Sequence, residues 1–321
     1  MHIPDGFLDA RTCVGAACVA GAGLAWAGRQ VTARWNDQTV PMLGVMSAFV
    51  FAGQMVNFPI PGGTSGHLLG GTLAALFLGP WAGAMVLTTV LVVQCFFFQD
   101  GGVTALGANV LNLALIGCWG GWLAYRGLGR VMKSERGRRV AVGLAAWVSV
   151  VAASLAAAAE LALSGQARWE VIVPAMGLTH AVIGVGEALI TVAVFSFVAR
   201  VRPDLVYEPT AGPKAVVPAK TLAVQGLVAS FGVVLLLAPL ASSLPDGLEK
   251  VAEGLGFAGK ARESAPALMP DYQVAGVGSP WLETVVAGAL GTLLVFGLGW
   301  LLARWLQRGS RREVCSARPE A

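Results

Sequence analysis

The chain carries three histidines, His2, His67 and His180, and the first stands where a histidine can do unusual chemistry. A free α-amine at Met1, the His2 amide nitrogen once deprotonated and the His2 imidazole Nδ1 close two fused chelate rings in one plane. Three nitrogens in a plane call for a fourth, and square-planar nitrogen ligation suits nickel(II) or copper(II), not zinc, magnesium or calcium. With so few imidazoles in the chain, His67 is the candidate for the fourth position. A histidine at position 2 is incidental in most proteins, so its surroundings must carry the assignment.

His67 ends the stretch Asn57-Phe58-Pro59-Ile60-Pro61-Gly62-Gly63-Thr64-Ser65-Gly66-His67. Its prolines and small residues make irregular backbone, tolerated at membrane depth only where protein or a cavity covers it. His67 is expected to begin a helix, whose positive end keeps the ring neutral and able to bind a metal. Thr64 and Ser65 are candidates to orient that ring, and capping the helix explains them equally well. His180 and Glu187, seven apart on one predicted helix, share a face. As ionisable groups inside a span they are candidate pathway residues; a His–Glu pair satisfying itself between packed helices fits the spacing as well. Glu160 reads as a residue at the end of its span. The five cysteines have no CxxC spacing and mostly sit in apolar runs, as small core residues do. Neither HExxH nor GxxxxGK[ST] occurs, so metalloprotease chemistry and ATP hydrolysis on a P-loop are not expected of this chain.

The elements that must position these residues are helices in a membrane. Hydrophobic residues make up 56% of the 321 and charged residues 12%, with mean hydropathy +0.69. The expected fold is an all-α polytopic bundle of about nine transmembrane helices, seven plus a two-helix hairpin, over 12–28, 42–58, 67–78, 81–98, 104–125, 140–164, 172–199, 221–240 and 281–305. The third is short, and Gly79-Pro80 separates it from the fourth. Counting them as two passes places 17 of the 22 lysines and arginines inside, with the amino terminus outside; a single pass would put the basic stretch 126–139 outside, against the positive-inside rule. A cleaved signal peptide is not expected, because Asp5 and Asp9 precede the first apolar run. No basic patch with interleaved aromatics marks nucleic acid as a partner. Residues 1–202 read as one unit and 203–220 as a cytoplasmic linker. Residues 221–321 form a hairpin around an outside loop that contains Pro245-Asp246-Gly247-Leu248-Glu249 and a short amphipathic stretch, 248–257.

Three of these stretches together resemble one family. Met1 to Leu8, the Pro61-Gly62-Gly63-Thr64-Ser65-Gly66-His67 loop and the run from Thr179 to Leu189 that contains His180 and Glu187 are similar to the CbiM/NikM family. That family provides the substrate-binding membrane component of energy-coupling-factor importers for nickel and cobalt. The resemblance covers the first 200 residues or so, and the later hairpin resembles the NikN-like accessory subunit of PDGLE type, here on the same chain. It implies a multi-pass plasma-membrane protein whose metal ligands are Met1, His2 and His67. The ion, nickel(II) or cobalt(II), is transported substrate, and no permanent cofactor is implied. The implied partners are ATP-binding subunits and a transmembrane coupling subunit. The Pro4-Asp5 continuation looks more like the nickel members. Two other readings stand beside this one: a cobalt importer component serving cobalamin synthesis, and a proton-coupled metal carrier working through His180 and Glu187.

Overall fold

In hydrocarbon a backbone amide finds no water, so an apolar chain must satisfy its N–H and C=O groups within itself. The computed structural model, which describes residues 1–35, 38–207, 218–262, 267–274 and 276–316, does so as helices. In chain order these are α1 (Ala10–Ala33), α2 (Thr39–Gln54), α3 (Gly71–Val93), α4 (Leu106–Asn109), α5 (Gly121–Gly129), α6 (Glu135–Leu163), α7 (Trp169–Val201), α8 (Ala219–Leu236), α9 (Gly247–Leu255) and α10 (Pro280–Ser316). α3 runs on into a π-helical turn over Gln94–Phe98, and a π-helical stretch over Val110–Gly120 joins α4 to α5. A two-stranded antiparallel ribbon, β1 (Phe58–Ile60) with β2 (Thr64–Gly66), folds the loop before His67 back on itself. Most of the expected linker, 208–217, lies outside the described residues.

Seven helices among the described residues are long and apolar enough to cross a membrane, and α2 is a shorter apolar helix. The segment 71–98 counts once by length, but its path is not straight. Gly79 takes φ 80° and ψ 164° ahead of Pro80, a conformation that a side chain would resist. A Cβ on Gly83 would lie 3.0 Å from the Ala75 nitrogen, whereas eight residues of straight helix separate two atoms by about 12 Å. The chain therefore doubles back at Gly79-Pro80. Its two ends, beside His67 and beside Asp100, return to the same end of the bundle, where both meet the amino-terminal segment. The nine expected passes correspond to the seven long helices with α2 added and 71–98 taken as two arms.

α6 packs along α7, α3 along the Val110–Gly120 helix, and α2 against α3, α8 and α10. The second half of the chain thus docks on the first through α2. One apolar core runs through the bundle and takes in Met1, Ile3 and Phe7 from the amino terminus and Leu248 and Phe257 from the loop between α8 and α10. The loop stretch expected to be amphipathic is α9, started by a capping box in which Asp246 accepts from Leu248 and Glu249 amides and Glu249 answers to the Asp246 amide.

A candidate metal centre at the amino terminus

The first eight residues are fastened to the bundle by their backbone. Pro4 has no N–H to satisfy, and its neighbours are met by side chains: Ile3 N–H donates to Asn109 Oδ1 at 2.8 Å, and Asn109 Nδ2 donates back to Ile3 O at 3.0 Å. Gly102 N–H also reaches Ile3 O. The Asp5 carboxylate accepts the Val103 and Thr104 amides and the Thr104 hydroxyl, tying the same segment to the loop before α4. From the other side Arg262 N–H donates to Asp5 O, and Phe7 lies edge-on to Phe257. Met1 and Ile3 are buried as a result.

That fastening delivers the α-amine to His67. Met1 N lies 2.9 Å from His67 Nε2 and 2.5 Å from Asp246 Oδ2. His67 Nδ1 sits 3.0 Å from Leu68 O, which assigns the ring proton to Nδ1 and leaves the Nε2 lone pair facing the amine. The His2 and His67 rings stack, with centroids 5.4 Å apart and planes 4° from parallel. His2 Nδ1 lies 2.8 Å from Asp100 Oδ1, and the other Asp100 oxygen accepts the Tyr272 hydroxyl at 2.6 Å. His2 Nε2 is buried with no hydrogen-bond partner in the described chain.

The loop that carries His67 is braced from below and above. Glu187 on α7 accepts the Leu69 amide at 2.6 Å and the Gly70 amide at 3.0 Å, so both its oxygens hold backbone rather than His180. From the α8–α10 loop, Leu244 O and Pro245 O take the Ser65 hydroxyl, the Ser65 amide and the Thr64 hydroxyl. Thr64 and Ser65 thus spend their hydroxyls on the 244–245 turn. They do not cap a helix, since α3 begins at Gly71 with Gly70 as its cap. His180 bonds Met176 O through Nδ1 at 2.9 Å. Glu160 stands in the last turn of α6, as expected, and is buried there, accepting from Asn112 Nδ2 at 2.6 Å.

Burial, and then the charge on the amine, push the His67 imidazole down to about 3. Burial alone would raise the Asp246 and Asp100 carboxyls, but the ammonium beside Asp246 and His2 beside Asp100 outweigh it and hold both well below the usual carboxylate range. Burial and the Asp100 charge push the Tyr272 hydroxyl up. The centre is thus a neutral imidazole and an amine between two carboxylates. Asp100, Asp246, Asn109 and Tyr272 were not singled out from sequence, although Asp246 lies within the Pro245–Glu249 motif.

Among the described residues no group of three or more His, Cys, Asp or Glu side chains is placed to hold a metal ion. The nitrogen groups gathered here are the Met1 amine and the His2 and His67 imidazoles.

The chain is similar to known proteins. Residues 2–205 match the family described as the cobalt uptake substrate-specific transmembrane region, CbiM, and residues 220–308 match the PDGLE domain. A protein of Archaeoglobus fulgidus named as a fused nickel transport protein, NikMN, is 36% identical over 95% of this chain and 99% of its own length. The fused nickel transport protein NikMN of Rhodobacter capsulatus is 32% identical over 93% of this chain and 96% of its own. A solved structure described as a truncated transition metal transporter superposes with TM-score 0.57 at 36% identity, covering 62% of this chain and 99% of its own. The chain belongs to the CbiM family, as a multi-pass membrane component of metal transport that carries a PDGLE domain on the same polypeptide.

Proposed function

We propose that this chain captures nickel(II) outside the cell, with the Met1 amine, the His2 amide nitrogen, His2 Nδ1 and His67 Nε2 as an in-plane set of four donors. The observation that carries the reading is the buried amine 2.9 Å from His67 Nε2. Metal–nitrogen bonds of about 2 Å put neighbouring donors of a square plane about 2.8 Å apart. The amine and His67 would be such neighbours, with the His2 amide opposite His67. Nickel is favoured over cobalt because the relatives that match nearly the full length, both PDGLE-sized in coverage, are named as nickel transport proteins. Cobalt(II) is the alternative cargo, in keeping with the description of the CbiM family.

The amine pairs with Asp246 as an ammonium, and His2 Nδ1 is turned to Asp100. Loading requires the ammonium and the His2 amide each to lose a proton and the His2 ring to turn from Asp100 toward the ion. Reprotonating the amide would undo the plane and release the ion. The chain has no phosphate-binding loop of its own, so ATP-binding subunits and a transmembrane coupling subunit would supply the energy for release inside. The same reading takes nine passes with the amino terminus outside.

Two measurements test the proposal on the purified chain. Sequencing the mature terminus must return Met1-His2. Nickel titration must then give tight binding that His2→Ala, His67→Ala and a residue added ahead of Met1 each abolish. Undiminished affinity in the extended protein would end the chelate reading.

A further inference from the structure

His180 has no part in the chelate described above, yet it opens on the same space. A cavity of about 10 Å³ lies between α7, the segment after β2 and the 246–247 turn, lined among others by Met1, His67, His180, Asp246 and Gly247. It has the size of a single water molecule or of an ion whose shell the walls supply. His180 is 1% exposed. Its Nδ1 lies 2.9 Å from Met176 O, the carbonyl one turn earlier, so that nitrogen carries the proton and Nε2 carries the lone pair. Nε2 is buried with no hydrogen-bond partner in the described chain. Gly247 meets this edge of the ring: a Cβ there would lie 3.0 Å from both Cε1 and Nε2. An unpaired buried acceptor costs free energy that a donor or a cation recovers, and two imidazoles, His67 and His180, line one cavity.

The chelate has a kinetic difficulty that this pair relieves. A peptide nitrogen loses its proton to solvent only once a metal is already held beside it. The first bonds to an arriving ion must come from donors that need no deprotonation. We propose that His180 is an additional metal ligand, the one that with His67 holds the arriving divalent ion beneath the 246–247 turn until the amine and the His2 amide have lost their protons to solvent and taken it over. The inference rests on the nickel-capture reading. His67 stays bound throughout and His180 lets go, so His180 governs the rate of loading more than the final affinity.

The test uses the purified full chain and nickel(II) alone. His180→Ala and His180→Gln should slow association in stopped-flow absorbance about tenfold while changing the equilibrium constant by less than about threefold. Gln keeps most of the volume and a polar group, which separates loss of a ligand from collapse around a hole. A second arm adds one residue ahead of Met1, removing the chelate. X-ray absorption of nickel bound at high concentration should then count two imidazoles, and one after the further change His180→Ala. An unchanged association rate in both His180 variants, as for a cavity that holds only water, or one imidazole in the extended chain, overturns the role of His180. Tight binding that survives His2→Ala sinks the chelate reading instead, and the two failures are told apart.

Discussion

Each residue of the amino-terminal centre is set by a contest between burial and charge. His67 is buried, and desolvation, then the nearby ammonium, pushes its imidazole down to about 3, so it is neutral near pH 7. Protons released on loading therefore come from the amine and the His2 amide and not from His67. The sign follows directly: loading frees protons, so affinity rises with pH, by about tenfold per pH unit for each proton released. Nickel titrations at pH 6, 7 and 8 in buffers of different ionisation enthalpy measure both the slope and the proton count, and a flat profile would contradict an amine–amide chelate. Folding follows the same sign. Between its ordinary value and about 3 the unfolded chain binds a proton that folded His67 refuses, so stability is lost on acidification across that window. Asp100 acts at one remove, holding the His2 ring at 2.8 Å and itself held by Tyr272. Because loading would turn His2 Nδ1 away from Asp100, Asp100→Asn removes a competitor for that nitrogen and should raise nickel affinity with the fold intact, read by titration and circular dichroism; a fall in affinity would contradict the proposed turn of the ring.

Among the elements, the loop between β2 and α3 must be irregular to turn His67 toward the amine, and irregular backbone inside a bundle needs partners. Glu187 provides two bonds to it. Glu187→Gln replaces one accepting oxygen with a donor, and one buried amide is left unmet at a cost of about 1–3 kcal/mol. The thermal midpoint in detergent should fall, and nickel affinity with it, because His67 is no longer held firmly. Leucine at the same position should be worse than glutamine; equal behaviour of the two would deny the brace. The reversal at Gly79-Pro80 makes an independent demand. Gly79→Val forces a β-branched side chain to φ 80° against the Tyr207 ring, a strain of about 1–3 kcal/mol. It should lower the thermal midpoint without changing the nickel stoichiometry.

Across the whole molecule, the two sequence blocks meet at the amino terminus. Met1 from the first block and Asp246 from the second form an ion pair, and the ribbon before His67 hangs on the 244–245 turn. The PDGLE loop is thus a wall of the site. The lysine and arginine distribution predicts an amino terminus outside. In a cysteine-free background, a cysteine at Lys250 should react with an impermeant maleimide on intact cells and one at Arg130 only after lysis. The opposite pattern would place the amino terminus inside.

Composition and local chemistry were enough to read a helical membrane protein, a break at Gly79-Pro80, and a pairing of the amino terminus with the loop that carries His67. These are properties of neighbouring residues: apolar length, a proline, a free amine one residue from an imidazole. The amphipathic period of 248–257 likewise announced α9. The tertiary structure alone decided that Asp246 and Asp100 flank the amine and His2, that Glu187 holds Leu69 and Gly70 and leaves His180 to itself, and that Thr64 and Ser65 bind the 244–245 turn. Each joins segments 98 or more residues apart along the chain. A carboxylate reads the same in sequence whatever it faces, and only the packing of the helices chooses its partner.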